Sequence, residues 1–519
     1  MNKAFLYTSQ TYRLHDESAM FKPFSSCFKT LLLGFICLAY PLCCLALAST
    51  PLETNHFTRS SRSSEMSDFM QRMATSDARV RLEIIGHSVQ GRPIEALIFS
   101  KPQQSNSPRL KLLLIGSQHG ASEPASGEAM LAIANDILTG PLSGKLDALD
   151  IMIIPNANPD GRDLGTRANA QGININADFV RMSQPETRAL KFALLSFQPD
   201  VTLDSHESAV LKRKSLGREG YMTDFNAQFE SSNHPSTPLA LRQLAYNTLL
   251  PEITQRVTAD KLPAHRYIGE IVSIKQPITN GGLTLKNFRN LAGMHGTLSF
   301  LVETKLDNGN DSYPTHRNIK VRLERQLICL RNFIDVIDEN RELILHQVAG
   351  ARAAQTHEAL TLKAHYASDP SHPFEDIPLR RLDTRALEIH RFADHRRIET
   401  ASVLPLPRAL AITQHQSEMA RFLEAQSIAF VALKNKQKTT ATLNHFVWDN
   451  NPLSGAVLQN SSTREVELAP GTLLVDLSQP RGRLAMLLLD PRSNSTIFID
   501  PDYKTLLEAK QTFFIYPLL

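Results

Sequence analysis

The chain has 519 residues, of which 42% are hydrophobic and 21% are charged, a balance typical of globular proteins that excludes a largely disordered chain. At about 150 residues per domain, this length predicts two or three domains. The formal net charge of +4 is too small for a chain of this size to indicate a nucleic-acid partner.

The N-terminus has the layout of a secretory signal. Residues 31–48 form an uncharged apolar run that follows Lys22 and Lys29 and ends in the small residues Ala46 and Ala48. We therefore expect residues 1–48 to be a cleaved signal peptide, with an uncleaved membrane anchor as the alternative. The mature chain would then be periplasmic or secreted from a bacterium, with no stable membrane span.

The distribution of cysteines limits the kinds of site that the mature chain can form. Four of the five cysteines lie in the predicted signal: Cys27, Cys37, Cys43 and Cys44. The remaining one, Cys329, lies on the apolar stripe of a predicted helix, which is typical of a buried core thiol. A disulfide scaffold and a cysteine-ligated zinc site are therefore excluded.

The first half of the chain alternates predicted strands and helices. Strands are predicted over residues 82–87, 94–99, 111–116, 149–154 and 297–303, and helices over 125–138, 186–197 and 315–345. Two of the strands are continuous apolar runs, as in strands that are covered on both faces. This order predicts an α/β fold with a mainly parallel mixed sheet flanked by helices.

Changes in composition predict the domain boundaries. Residues 49–80 are polar and are predicted to be a linker leading into a short helix, followed by a first domain over 81–348. Residues 349–519 are predicted to form a smaller α/β or β-rich domain. Within it, we expect strand, helix and strand over 408–435, and two strands over 471–500.

Polar residues with metal-binding chemistry follow three of the predicted strands. His119 and Glu123 come after the strand that ends at Gly116, His206 follows a later apolar run, and Glu303 ends the strand at 297–303. The carboxyl ends of parallel strands meet at one edge of a sheet. Two histidines and a glutamate are the ligands of a catalytic zinc site, and a further carboxylate can serve as general base. Each residue alone has an ordinary structural explanation, so the prediction depends on the set.

A series of segments, in family order over residues 82–340, resembles the zinc carboxypeptidases of the carboxypeptidase A type. They are Gly86–Ile94 (GHSVQGRPI), His119–Glu123, Asn158–Gly161 (NPDG), Arg167, Asn174–Asp178, His206 in DSHES and Glu303 in SFLVET. Residues 404–412 and 475–493 more weakly resemble the C-terminal region of larger bacterial members.

The resemblance implies one Zn²⁺ per chain, held by His119, Glu123 and His206. The metal would lower the pKa of a bound water and polarise the substrate carbonyl. Glu303 would act as general base, and Arg167 would bind the scissile carbonyl and stabilise its oxyanion.

The chain departs from the family pattern in the first metal motif. Three residues separate His119 from Glu123, where the family has two, so that a strict count puts Ser122 at the ligand position. Because Pro124 follows Glu123 as in many family members, we expect the loop to bulge and Glu123 to be the ligand.

A second departure concerns substrate binding. Ala177 stands where the family has an arginine that grips the terminal carboxylate of the substrate. Asn176 can still hydrogen-bond a carboxylate. The nearby residues that could substitute for the arginine are Arg162, Arg181 and Arg188, and the candidates for the family's active-site tyrosine are Tyr221, Tyr267 and Tyr313.

The sequence thus predicts an exported zinc metallopeptidase of the carboxypeptidase type, acting on a peptide or a cell-wall peptide. A zinc-dependent N-acyl amino acid deacylase is the first alternative, because Ala177 weakens the case for strict carboxypeptidase specificity. A non-catalytic binding protein that retains the fold is the second. The presence of Glu303, Arg167 and both histidines argues against it.

Overall fold

A computed structural model describes residues 49–102, 108–208, 215–306, 317–354, 359–448, 456–507 and 512–519. These residues belong to one compact unit, Leu47–Leu519. The predicted signal peptide lies outside the described residues. Within the described part of the chain, no helix is long and apolar enough to cross a membrane.

Within the described residues, the strands form one large sheet and three smaller ones. In chain order they are β1 (Val80–His87), β2 (Pro93–Phe99), β3 (Leu110–Ile115), β4 (Leu149–Ile154), β5 (Val201–Ser208), β6 (Tyr221–Thr223), β7 (Ala227–Ser231), β8 (Ala264–Arg266), β9 (Leu298–Lys305), β10 (Leu360–Ala367), β11 (Phe374–Arg381), β12 (Leu387–Ala393), β13 (Arg397–Leu404), β14 (Ala409–Ile412), β15 (Val431–Ala432), β16 (Gln437–Trp448), β17 (Ala456–Leu468), β18 (Leu473–Asp476) and β19 (Ile515–Leu518).

The α-helices flank these sheets. They are α1 (Pro51–Thr54), α2 (Ser63–Ser76), α3 (Pro124–Leu138), α4 (Pro159–Leu164), α5 (Pro185–Phe197), α6 (Leu239–Leu244), α7 (Leu250–Ala259), α8 (Phe288–Met294), α9 (Ile319–Glu339), α10 (Arg341–Ala354), α11 (Gln416–Ala425), α12 (Gly482–Leu489) and α13 (Pro501–Lys504).

The large sheet has the predicted mixed α/β character. Its strand order is β1-β2-β4-β3-β5-β9-β7-β8, and its central strands β4, β3, β5 and β9 run parallel to one another. β3 and β4 are buried almost throughout, because helices cover both of their faces. The carboxyl ends of β3, β5 and β9 therefore meet at one edge of the sheet.

The segment 49–80, which was predicted to be a linker leading into a short helix, contributes to the core. Met66, Phe69, Met70 and Met73 of α2 are buried in the same hydrophobic cluster as the strands of the large sheet. The polar composition of this segment reflects the exposed face of an amphipathic helix.

Two local predictions were wrong. The helix predicted over 315–345 ends at Glu339, and α10 begins at Arg341. Between them, the side-chain amide of Asn340 donates to the carbonyl of Val336 at 2.9 Å, a local bond that favours a helix end. The second strand predicted over 471–500 is the helix α12. All eight of its residues are buried, and a short apolar run of this kind does not distinguish a strand from a helix.

The C-terminal residues add β-rich structure that reaches the large sheet. The six-stranded sheet has the order β15-β18-β14-β19-β16-β17 and shares a hydrophobic cluster with β2, β3 and α5. Separately, β11 pairs with β6, so that Leu379 lies opposite Thr223. Cys329 is fully buried on α9, as predicted.

Candidate active site

Polar side chains line up at the carboxyl edge of the large sheet. β5 pairs with β9 so that His206 lies opposite Glu303, and β9 pairs with β7 so that Glu303 lies opposite Gln228. Residues that are paired across neighbouring strands point to the same face of a sheet. The fold therefore brings the predicted ligand His206 next to the predicted base Glu303.

Three of the predicted site residues form a buried group that we call the metal cluster: His119, Glu123 and His206. One potential ligand atom from each residue lies within 4.8 Å of the others, and all three residues are buried. They come from two segments that are distant in sequence, the loop after β3 and the end of β5. The parallel pairing of these two strands places them together.

The loop between β3 and α3 accommodates the extra residue of the first metal motif. Gly120–Ser122 form one 3₁₀ turn, and α3 begins directly after Glu123. Gly120 has a φ of +50°, and a Cβ at this position would lie 2.5 Å from the carbonyl carbon of Gly161. Glycine is therefore required for a turn that delivers the Glu123 carboxylate to the cluster.

The orientation of His206 is fixed by carboxylates on both sides of its ring. Its Nδ1 lies 3.0 Å from Oε2 of Glu123, and its Nε2 lies 2.9 Å from Oδ2 of Asp204. The side-chain amide of Gln118 donates to the same Asp204 oxygen at 2.6 Å. Nδ2 of the predicted substrate-binding residue Asn176 lies 3.3 Å from Nε2 of His206.

Burial and neighbouring charges determine the protonation of the cluster. Burial lowers the pKa of His119 to about 3, so its ring is neutral at pH 7. Burial opposes ionisation of Glu123, but the neighbouring cations and the hydrogen bond from His206 hold its pKa below the ordinary value. Burial opposes a charge on His206 as well, but the carboxylates of Asp204 and Glu123 raise its pKa.

The donor set fits a zinc ion. Two imidazoles and one carboxylate are ligands that Zn²⁺ accepts in catalytic sites. Nδ1 of His119 is buried and has no hydrogen-bond partner among the residues that the structure describes, which is costly for a polar atom unless a ligand occupies it. The carboxylate of Asp204 lies where an outer partner that orients His206 as a metal ligand would lie.

Arg167 reaches the cluster from the loop that follows α4. Its guanidinium forms an ion pair with the carboxylate of Glu123. The side chain of Asn158 accepts a hydrogen bond from the backbone N–H of Gly161 at 2.9 Å and donates to the carbonyls of Gln118 and Arg167, both at 3.3 Å. The NPDG segment thus ties together the two loops that carry Arg167 and the first metal motif.

The motif at residues 86–94 acts as a support for this turn. The hydroxyl of Ser88 donates to Oδ1 of Asp160 at 2.7 Å, and the guanidinium of Arg92 donates to the same oxygen at 2.7 Å. The Gly86–Ile94 and Asn158–Gly161 segments therefore bind each other through Asp160.

Two residues of α9 that were not singled out from the sequence hold the end of β5. The amide of Gln326 donates to the carbonyl of His206 at 2.8 Å, and its oxygen accepts from the Ser205 hydroxyl at 2.6 Å. Arg322 forms a fully buried ion pair with Glu207 at 2.7 Å. A sequence signal that could have identified them is their i, i+4 spacing next to the apolar stripe of the helix. Polar residues buried at such positions need buried hydrogen-bond or charge partners.

A sequence model of the zinc carboxypeptidase family matches residues 66–206, which contain all three members of the metal cluster. This match identifies residues 66–206 as a zinc carboxypeptidase domain. The chain is therefore a hydrolase with an α/β fold, as the sequence predicted.

Several carboxypeptidases are similar to this chain. The chain is 24% identical over 457 residues to Carboxypeptidase 2 of Trichophyton rubrum, a match that covers 83% of this chain and 82% of the relative. It is 33% identical over 114 residues to Carboxypeptidase E of Caenorhabditis elegans, covering 18% and 24% of the two chains. The crystal structure of a metallo-carboxypeptidase from Burkholderia cenocepacia has 19% identity and a TM-score of 0.40, covering 52% and 69% of the two chains.

The arginines considered as substitutes for the family residue at position 177 are all engaged in other contacts. Their partners are Glu128 for Arg162, Asp500 and Asp502 for Arg181, and the carbonyls of Met182 and Ser183 for Arg188. Arg162 is also almost fully buried. The structure does not bring these side chains to the metal cluster.

Glu303 also lines an open pocket, which we call the Glu303 pocket, enclosing about 690 Å³ including solvent at its mouth. Tyr267 lines the same pocket, and burial together with the charge of Glu303 raises the pKa of its hydroxyl. Tyr221 instead donates to Glu388 at 3.0 Å, and Tyr313 lies outside the described residues. Of the two candidate tyrosines that the structure describes, Tyr267 is the one that lines the pocket with Glu303.

Proposed function

We propose that this protein is an exported carboxypeptidase that uses His119, Glu123 and His206 to hold one Zn²⁺. The observation that carries the proposal is the buried metal cluster, whose His206 lies opposite Glu303 across paired strands. Export to the periplasm or the cell exterior is proposed from the sequence of residues 1–48. The substrate is a peptide or a cell-wall peptide.

The chemistry divides between the metal and the side chains around it. Zn²⁺ held in the cluster would supply a Lewis acid that polarises the substrate carbonyl and acidifies the attacking water. Glu303 accepts the proton of that water at its carboxylate as the water oxygen adds to the carbonyl carbon. It then donates the proton to the amine nitrogen as the C–N bond breaks.

Other residues of the chain orient the substrate. Arg167 carries a positive charge next to Glu123 and can donate to the carbonyl oxygen as negative charge develops on it. Nδ2 of Asn176 lies beside His206, where it can donate to a carboxylate of the substrate. Tyr267 keeps its proton over the whole physiological range and can act as a donor in the Glu303 pocket.

Metal analysis of the purified chain tests this proposal. We expect about one zinc per chain, retained in Ser122→Ala and lost in Glu123→Ala. These adjacent variants decide which residue of the lengthened motif is the ligand. A chain that remains free of zinc after incubation with the metal would contradict the proposal.

A second candidate function is hydrolysis of N-acyl amino acids. It is left open by Ala177, because the chain lacks the arginine that binds a peptide's C-terminal carboxylate in the family, and the nearby arginines are engaged elsewhere. Assays with peptides and with N-acyl amino acids, run on the same preparation, distinguish the two. A clear preference for the acylated amino acids would support the second function.

A further inference from the structure

The Glu303 pocket contains a lysine whose charge is not used by the fold. Lys305 is 8% exposed and lines the pocket together with Glu303. Its ammonium group forms no hydrogen bond or ion pair with any residue that the structure describes. A buried lysine without a partner is costly, because lysines are almost never buried unless they are paired.

The position of this lysine on β9 directs it to the same side as the proposed base. Lys305 follows Glu303 by two residues, so both side chains project from one face of the strand. Lys305 lies opposite Ser208 on β5, directly beyond the pair formed by His206 and Glu303. The two steps along the strand span about 6.6 Å.

The charges around Lys305 make this end of the pocket positive. The nearby charged groups are Arg325 on α9, Arg380 on β11, Arg385 after β11, and Asp224. The carboxylate of Asp224 is already bound by the guanidinium of Arg380 at 2.6 and 2.9 Å. Asp224, the acidic residue that interacts electrostatically with Lys305, is therefore already paired with Arg380.

A substrate residue bound in this pocket would bring its own negative charge. The residue that leaves in carboxypeptidase chemistry has its nitrogen next to the general base, and its carboxylates lie a few bonds away. With Glu303 at the nitrogen, Lys305 is within reach of a carboxylate on the same residue. Resting on the proposed function, we propose that Lys305 binds a carboxylate of the departing residue, in place of the arginine that is absent at position 177.

Two carboxylates could serve, the α-carboxylate or an acidic side chain, and the test separates them. Binding of three acetylated tripeptides to the zinc-loaded full chain is measured by calorimetry in the Glu303→Gln background, where hydrolysis does not interfere. One peptide ends in leucine, one is its C-terminal amide, and one ends in glutamate. Each is titrated with and without Lys305→Met, with Lys305→Arg as the variant that keeps the charge.

If Lys305 binds the α-carboxylate, the leucine peptide binds about tenfold or more tightly than its amide, and Lys305→Met removes that difference. If Lys305 binds an acidic side chain, Lys305→Met removes only the tighter binding of the glutamate peptide relative to the leucine peptide. In both cases Lys305→Arg retains most of the affinity. The control is Lys438→Met, at a lysine that is 72% exposed on β16, and it leaves all three affinities unchanged.

Unchanged affinities, within twofold, for all three peptides in Lys305→Met would overturn the proposal. Zinc content and the thermal unfolding midpoint of that variant are measured to show that it remains folded and loaded. Failure of the proposed function would look different, because a chain that hydrolyses no peptide can still show the Lys305-dependent difference in binding.

Discussion

The metal cluster and the Glu303 pocket lie at the same edge of one sheet, but they differ in how their charges are compensated. In the metal cluster, His206 lies between two carboxylates and Glu123 also binds Arg167. In the pocket, Lys305 is similarly buried but has no ion pair within the described part of the chain. The first arrangement suits a cation that is always present, and the second suits an anion that arrives with each substrate.

This difference predicts two classes of variant. Changes in the metal cluster or at Glu303 should reduce hydrolysis of every substrate, because they remove the chemistry itself. Changes around Lys305 should alter which substrates are preferred, because they act on binding of the departing residue.

The largest expected effect is that of Glu303→Gln. Removing the general base should lower kcat by about 10²- to 10⁴-fold while zinc content stays at the wild-type level, since the substitution keeps the shape of the side chain. Peptide hydrolysis and metal content are measured on the same preparation. Glu324→Gln, at an exposed position on α9, is the matched control and should keep full activity. Loss of zinc in Glu303→Gln would place Glu303 in the metal site instead.

A smaller effect is expected for Asp204→Asn. The carboxylate of Asp204 contacts Nε2 of His206 at 2.9 Å and orients the ring toward the cluster. Losing its charge should weaken zinc affinity by about 10- to 100-fold, as measured by competition with a chelating dye. Asp200→Asn is the control, because Asp200 pairs with Arg352 away from the cluster. Equal zinc affinity in both variants would show that Asp204 has no role in positioning His206.

The sequence predicted the metal cluster better than the pocket, and the reason is physical. His119, Glu123 and His206 occur in short segments whose local chemistry is recognisable, and parallel pairing of β3 and β5 is enough to bring them together. The predicted strands of the large sheet also agree with the structure, because continuous apolar runs are a strong signal for buried strands.

The Glu303 pocket depends on contacts that no local pattern encodes. Thr223 lines it from β6, which is paired with β11 about 155 residues later in the chain. Lys305 looks like an ordinary charged residue at the end of a strand, and only the folded structure shows that it is buried and lines a pocket. The same limitation applies to Arg322 and Gln326, whose buried partners lie on β5.

The smallest expected effect is a pH dependence that belongs to the pocket alone. Burial lowers the pKa of Lys305 to about 8, Arg325, Arg380 and Arg385 add to the shift, and Asp224 opposes it. Below pH 8 the ammonium is charged and can bind a carboxylate, whereas above pH 8 the free enzyme increasingly has a neutral amine at this position. We therefore expect kcat/KM for peptides with a bound carboxylate to fall above pH 8, by up to about tenfold per pH unit.

Lys305→Arg separates this effect from other titrations, because an arginine stays charged throughout the range. The fall above pH 8 should disappear in that variant, while the metal-dependent part of the pH profile stays the same. The decrease should appear in kcat/KM and be shifted to higher pH in kcat, since a bound carboxylate stabilises the charged lysine and raises its pKa. If kcat/KM falls by the same amount and at the same pH in Lys305→Arg, the titrating group is not Lys305. The proposed functional difference between the two regions would then be contradicted.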